Sequence, residues 1–187
     1  MSLARNALKP LTALPLVFAL VLAASGAAGT GVAAADGPDT PRGVKARIEA
    51  LPWPVLERGV THWRVWSVKR ILGVPTSSQG DVYNDALHRA ITRYQESRDL
   101  AERNRIGTET WENLRYTVGV VRPGATGGKV FAVQRALRHN GHPKLAVDGI
   151  YGTRTEQAVR QFQRKVGIQV DGVTGRFTFR ALICMGA

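Results

Sequence analysis

Residues 148–163 read DGIYGTRTEQAVRQFQ, and two structural signals meet in them. Asp148-Gly149 is a turn pair: the aspartate side chain bonds the backbone just ahead of it, and the glycine accepts a positive φ. Beyond Gly152, the spacing of Ala158, Val159 and Phe162 puts apolar side chains on one face of a helix. Thr153 and Glu156 have the T-x-x-E spacing of a capping box, which predicts that Thr153 caps this helix and Glu156 bonds back to it. The stretch therefore reads as a turn that starts an amphipathic helix. A calcium loop needs more regularly spaced oxygen ligands and a phosphate loop needs G-x-x-x-x-G-K, and this sequence has neither.

Working outward, the same plan occurs twice. VFAVQRAL (130–137) aligns with VWSVKRIL (65–72), AVRQFQRKVGI (158–168) with AITRYQESRDL (90–100), and TGRFTFRAL (174–182) with IGTETWENL (106–114). Each copy predicts three short helices. In the second, Val130, Val133 and Leu137 form one stripe, Ala158, Val159, Phe162 and Val166 the next, and Phe177, Phe179, Ala181 and Leu182 the last. In the first, Val65, Val68 and Leu72 are followed by Leu87, Ala90, Ile91 and Tyr94, then by Trp111 and Leu114. These stripes are core faces and carry no chemistry. The predicted fold is all-α (mainly α): two tandem three-helix repeats, over 53–119 and 120–187. A small β-hairpin or bridge before each second helix stays open, with LAVDG (145–149) and IQVDG (168–172) as its strands.

The N-terminus indicates a compartment. Arg5 and Lys9 precede the uncharged apolar run 11–24, and small residues follow, ending in Ala33-Ala34-Ala35. That is the plan of a secretory signal peptide over residues 1–35, and the apolar run is shorter than a membrane-crossing helix requires. Residues 36–52, rich in Pro, Gly and charge, read as a flexible tail, with VKARIEAL adding at most a helical turn. The formal net charge of +12 draws the chain to polyanions such as anionic wall polymers or nucleic acid. Cys184 is the single cysteine, so no intrachain disulfide forms, and its apolar surroundings read as core rather than as a thiol nucleophile. His139 and His142 have no third ligand nearby in sequence, so no metal site is expected.

The second copy resembles a known family. Gly124, Gly127, Val130, Val133-Gln134, Asp148-Gly149-Ile150-Tyr151-Gly152, Thr155, Ala158-Val159, Phe162-Gln163, Gly167-Ile168, Asp171-Gly172, Gly175 and Thr178 to Leu182 stand in the order of the three-helix peptidoglycan-binding domain of bacterial wall hydrolases. The first copy is similar but worn: His62 stands at the Gly127 position, Lys69 at the Gln134 position, GDVYND (80–85) replaces DGIYGT, and Arg103-Asn104 replaces Asp171-Gly172. It reads as a scaffold that keeps the packing pattern and loses the loop pattern.

The resemblance, together with the signal peptide, implies a secreted, cell-wall-associated protein that binds peptidoglycan. Anionic wall polymers and a wall hydrolase are the further expected partners. Among the matched positions, Asp148, Gly149, Tyr151, Gly152, Asp171 and Gly172 are the expected ligand-binding loops, with Arg154 and Arg176 beside them. Tyr151 offers a sugar-stacking face, and Arg154, Arg176 and Arg180 offer guanidinium forks to stem carboxylates. The helix N-termini near Thr153 and Thr174 leave N–H groups suited to the same carboxylates. Signal, tail and two copies leave no span for a catalytic domain, and neither S-x-x-K nor H-E-x-x-H occurs. The expectation is therefore a non-catalytic module without catalytic residues, metal or cofactor.

Overall fold

Every apolar stripe named above becomes a helix. The computed structural model describes residues 39–76 and 80–186, so the signal expected over 1–35 lies outside the described residues. The helices are α1 (Arg42–Glu49), α2 (Trp63–Ile71), α3 (Asp85–Glu96), α4 (Thr108–Val118), α5 (Gly128–His139), α6 (Thr153–Val166) and α7 (Arg176–Met185). An antiparallel ladder pairs β1 (Leu56–Glu57) with β2 (Arg105–Ile106), Leu56 opposite Ile106. The fold is mainly α. No helix among the described residues is long and apolar enough to cross a membrane.

The two halves use the same backbone bonds. In the second, Gly124 N–H donates to the Tyr151 carbonyl, Tyr151 N–H to Ala125, and Gly127 N–H to Gly149, all at 2.9 Å. In the first, Gly59 donates to Tyr83, Tyr83 to Val60 and His62 to Asp81, at 2.9, 2.8 and 2.9 Å. The bridge Thr126–Ile150 matches Thr61–Val82, and Val121–Thr174 matches the β1–β2 ladder. Because α5 has 12 residues and α2 has 9, the second half gains one turn before its loop. The first half thus has the same loop backbone, although its loop sequence differs.

Three expectations are corrected. The extended pairs do not form between LAVDG and IQVDG; Ile150 and Thr174, just past the Asp-Gly turns, pair instead with Thr126 and Val121. The capping box does not form. Gly152 is the N-cap of α6 and makes no side-chain cap bond, and Glu156 turns forward to Arg160 (2.9 Å). The described part of the expected tail, 39–52, is anchored rather than loose: it contains α1, the Gln169 N–H donates to Thr40 Oγ1 (3.0 Å), and Arg47 donates to the Val166 carbonyl (2.9 Å).

Arg180 locks α1 in place. Its guanidinium is buried and donates to the carbonyls of Ile48 (2.8 Å), Glu49 (2.7 Å) and Leu51 (2.8 Å), at and just past the C-terminus of α1, and pairs with Glu112. It lies over the Trp53 ring, 4.5 Å from the centroid, and Trp53 stacks on Trp111. Arg115 pairs with Glu49 and Glu112, and hydrogen bonding to Arg115 holds the Glu49 carboxyl below its ordinary range. Arg180, expected as a candidate for wall carboxylates, is spent inside the fold.

The core is continuous across both halves and includes Val65, Val68, Leu87, Ile91, Trp111, Leu114, Val130, Val133, Val159, Phe162, Phe179 and Leu182. The largest helix contact is between α2 and α5, which run antiparallel: Trp63 stacks on His139 at one end, and Gly128 meets Arg70 at the other. Small buried residues, Ser67 and Ala132, lie on these helices. A methyl group on Gly128 would overlap the Arg70 carbonyl oxygen. Alanine favours a helix over glycine by about 1 kcal/mol, whereas overpacking costs about 1–3 kcal/mol. Gly128→Ala is therefore expected to destabilise the fold despite its higher propensity, lowering the urea midpoint; an unchanged or raised midpoint would show that the helices do not close on this residue.

Candidate functional site

The loop before α6 is built around one glutamine. Gln134 lies on the buried face of α5, one turn after Val130, with its carboxamide aimed into the following loop. Its Nε2 donates to Asp148 Oδ1 (2.7 Å) and the Ile150 carbonyl (3.0 Å), with Thr155 Oγ1 also at 3.0 Å. Its Oε1 accepts from the Gly149 N–H (2.8 Å). Asp148 Oδ1 also accepts from the Ile150 N–H (2.9 Å). That backbone bond, and then the Gln134 bond, hold the Asp148 carboxyl below its ordinary range, so it stays ionised through neutral pH. Gly149 has φ +74°, and a Cβ there would overlap the Phe131 ring. Both conditions select glycine.

The same clamp recurs one helix later. Gln163 Nε2 donates to Asp171 Oδ1 (2.7 Å) and the Val173 carbonyl (2.9 Å), near Thr178 Oγ1 (3.3 Å), and its Oε1 accepts from the Gly172 N–H (2.9 Å). Gly172 has φ +72°. Tyr151 joins the two turns, its hydroxyl donating to the Gly172 carbonyl (2.9 Å). That side chain is only 1 % exposed, and burial pushes its phenol far above the ordinary range. Tyr151 therefore has no free face for a sugar; it is the post on which the loops rest.

The expected site residues separate into two places. Asp148, Gly152 and Arg154 line a hollow of about 210 Å³ beside the start of α6, with Ile150 at 57 % exposure on its rim. Leu145 and Arg154 also line an adjoining hollow of about 340 Å³ along α6, whose wall includes Gln157 and Gln161. The two hollows share these residues and form one shallow groove. Gly149 is buried behind it. Asp171, Gly172 and Arg176 lie at the other turn, where Arg176 covers the Tyr116 ring (4.7 Å to the centroid) and donates to its hydroxyl (3.2 Å). Neither hollow includes them.

Sequence reasoning assigned no role to Gln134 and Gln163. Their signal was a polar side chain on an otherwise apolar helical face, with Asp-Gly a fixed distance downstream. Removing a buried carboxamide leaves its partners unsatisfied, at about 1–3 kcal/mol each. Gln134→Ala is expected to cost about 2–3 kcal/mol on this basis and to speed amide exchange at Gly149 and Ile150 more than in α4. Uniform acceleration throughout the protein, or none, would contradict a local clamp.

Residues 126–182 match the family described as "Putative peptidoglycan binding domain". The N-acetylmuramoyl-L-alanine amidase CwlL of Bacillus licheniformis is 39% identical over 82 residues, 43% of this chain and 23% of that protein. The spore cortex-lytic enzyme of Bacillus subtilis (strain 168) is 41% identical over 80 residues, 42% of this chain and 26% of that enzyme. The N-acetylmuramoyl-L-alanine amidase CwlM of Mycobacterium tuberculosis is 29% identical over 111 residues, 54% of this chain and 27% of that protein. The matched stretch spans about a quarter of the length of each of these relatives. No solved structure matches the chain. Residues 126–182 are a domain of the peptidoglycan-binding family.

Proposed function

We propose that this chain is a secreted, non-catalytic protein that binds peptidoglycan through the groove between the 145–148 loop and the start of α6. The observation that carries the reading is the placement of Arg154 within the family domain. It is exposed, forms no ion pair among the described residues, and lines both hollows of the groove. Peptidoglycan offers N-acetyl sugars and peptide stems with carboxylates. A guanidinium fork suits the carboxylate, and exposed Ile150 with half-buried Leu145 suits the methyl groups and apolar sugar faces. The relatives named as amidases and cortex-lytic enzymes support a setting in the wall.

The first half is, in this reading, a degenerate copy of the same domain, supported by the recurrence of its backbone bonds. Burial pushes the Cys184 thiol up to about 11, which opposes a thiolate nucleophile and supports a role without catalysis. The net charge of +12 favours a second reading, in which the surface holds anionic wall polymers by charge alone.

Co-sedimentation with sacculi stripped of anionic polymers separates the two. The protein is expected to pellet with them at both low and high salt. Loss of one charge-assisted contact in Arg154→Ala is worth about 1.5 kcal/mol, roughly a tenfold drop in affinity. Protein that stays in the supernatant would refute peptidoglycan binding, and binding that vanishes with salt would favour the polyanion reading.

A further inference from the structure

A hollow of about 620 Å³ lies in the first half, beside α3. It is the counterpart of the hollow beside α6. Tyr83 matches Tyr151 in the shared backbone bonds, and Gln95 matches Gln163 in donating to Thr110 Oγ1 (2.8 Å) as Gln163 does to Thr178. In this register Ala86, Arg89, Ala90 and Arg93 stand where Arg154, Gln157, Ala158 and Gln161 stand, and both sets line their hollows. The two hollows differ in charge: alanine stands at the first position where α6 has arginine, and two guanidinium groups stand where α6 has carboxamides.

No Asp or Glu lines this hollow. Asp85 and Glu96, the acidic residues of α3, pair with neither arginine, and Asp85 is held by Arg58 at 2.5 Å. Arg93 Nε donates to the Arg89 carbonyl (3.3 Å), which lays its stem along the helix. Like charges four residues apart on a helix repel, so two uncompensated guanidinium groups favour an anion between them. Leu72, Val74, Pro75 and Ala90 supply an apolar wall beside the charges. A neutral carboxamide wall accepts an amide and a carboxylate with little discrimination, whereas a guanidinium pair favours the carboxylate.

We propose that the hollow beside α3 is a second peptidoglycan site, in which Arg89 and Arg93 select peptide stems with a free carboxylate over amidated stems. This rests on the wall-binding reading and assigns the worn half a binding role. The test compares sacculi with free carboxylates and sacculi whose carboxylates have been converted to amides by carbodiimide coupling. Every form carries Arg154→Ala, which removes the carboxylate contact proposed for the groove beside α6; this parent chain is measured beside the same chain with Arg89→Gln/Arg93→Gln and beside a control of equal charge with Arg42→Gln/Arg122→Gln, at one fixed salt concentration.

Amidation is expected to weaken the parent and the control about tenfold, and the α3 variant by less than about twofold. An α3 variant that loses as much as the parent would overturn the proposal. So would a control that behaves like the α3 variant, since the effect would then be general charge. Binding of neither preparation by any form would overturn the wall-binding reading itself.

Discussion

A buried primary amide must find partners for both its N–H groups and its oxygen, and the second half of this protein is organised around two such amides. Gln134 and Gln163 each project from a helix face that is otherwise apolar, and each is satisfied by an Asp-Gly turn that follows. The requirement acts in both directions. The turn gives the glutamine its partners, and the glutamine fixes where the turn sits. The position of Arg154 and Ile150 at the groove follows from that constraint, because the loop between Gln134 and Thr155 has little freedom once both ends are bonded to one carboxamide.

The first half has the same loop backbone around different buried groups. Lys69 is buried in the Gln134 position, where burial lowers its pKa and the Asp81 carboxylate opposes the shift. Gln95 keeps its bonds to the Arg105 carbonyl and Thr110, but its Oε1 and the Tyr83 hydroxyl find no hydrogen-bond partner among the described residues. In the second half the corresponding atoms both meet Gly172. Asn104 replaces that glycine and still adopts a positive φ of 62°, which asparagine tolerates better than most residues. Glu102 takes over part of the clamp's work, accepting from the Gly107 and Thr110 N–H groups at 2.9 and 3.1 Å. The two halves share a backbone geometry that different side chains hold.

Much of this was legible in the sequence. The helical stripes at Val130–Leu137 and Ala158–Val166 appear as read, because a 3.6-residue period of apolar side chains leaves few alternatives once a core forms. The Asp-Gly turns were legible for the same local reason. What sequence could not give was tertiary competition. Thr153 and Glu156 have capping-box spacing, yet Arg160 one turn on takes the glutamate. Tyr151 was a reasonable sugar platform until the second turn closed over it. Residues 39–52 look like a linker because their anchor, Arg180, lies some 130 positions away in sequence. The role of Arg89 and Arg93 needed the register between halves that the paired backbone bonds provide.

The central claim is that a loop clamped by buried glutamine presents a wall-binding groove at the start of α6. Amide shift mapping by nuclear magnetic resonance, with soluble peptidoglycan fragments titrated into the labelled protein, tests it most directly. The largest shifts are expected at Leu145–Ala146 and Ile150–Gln157, with Gly172 and Arg176 nearly still. Shifts centred on the Asp171–Arg176 turn, or no shifts in the second half at saturating fragment, would contradict it.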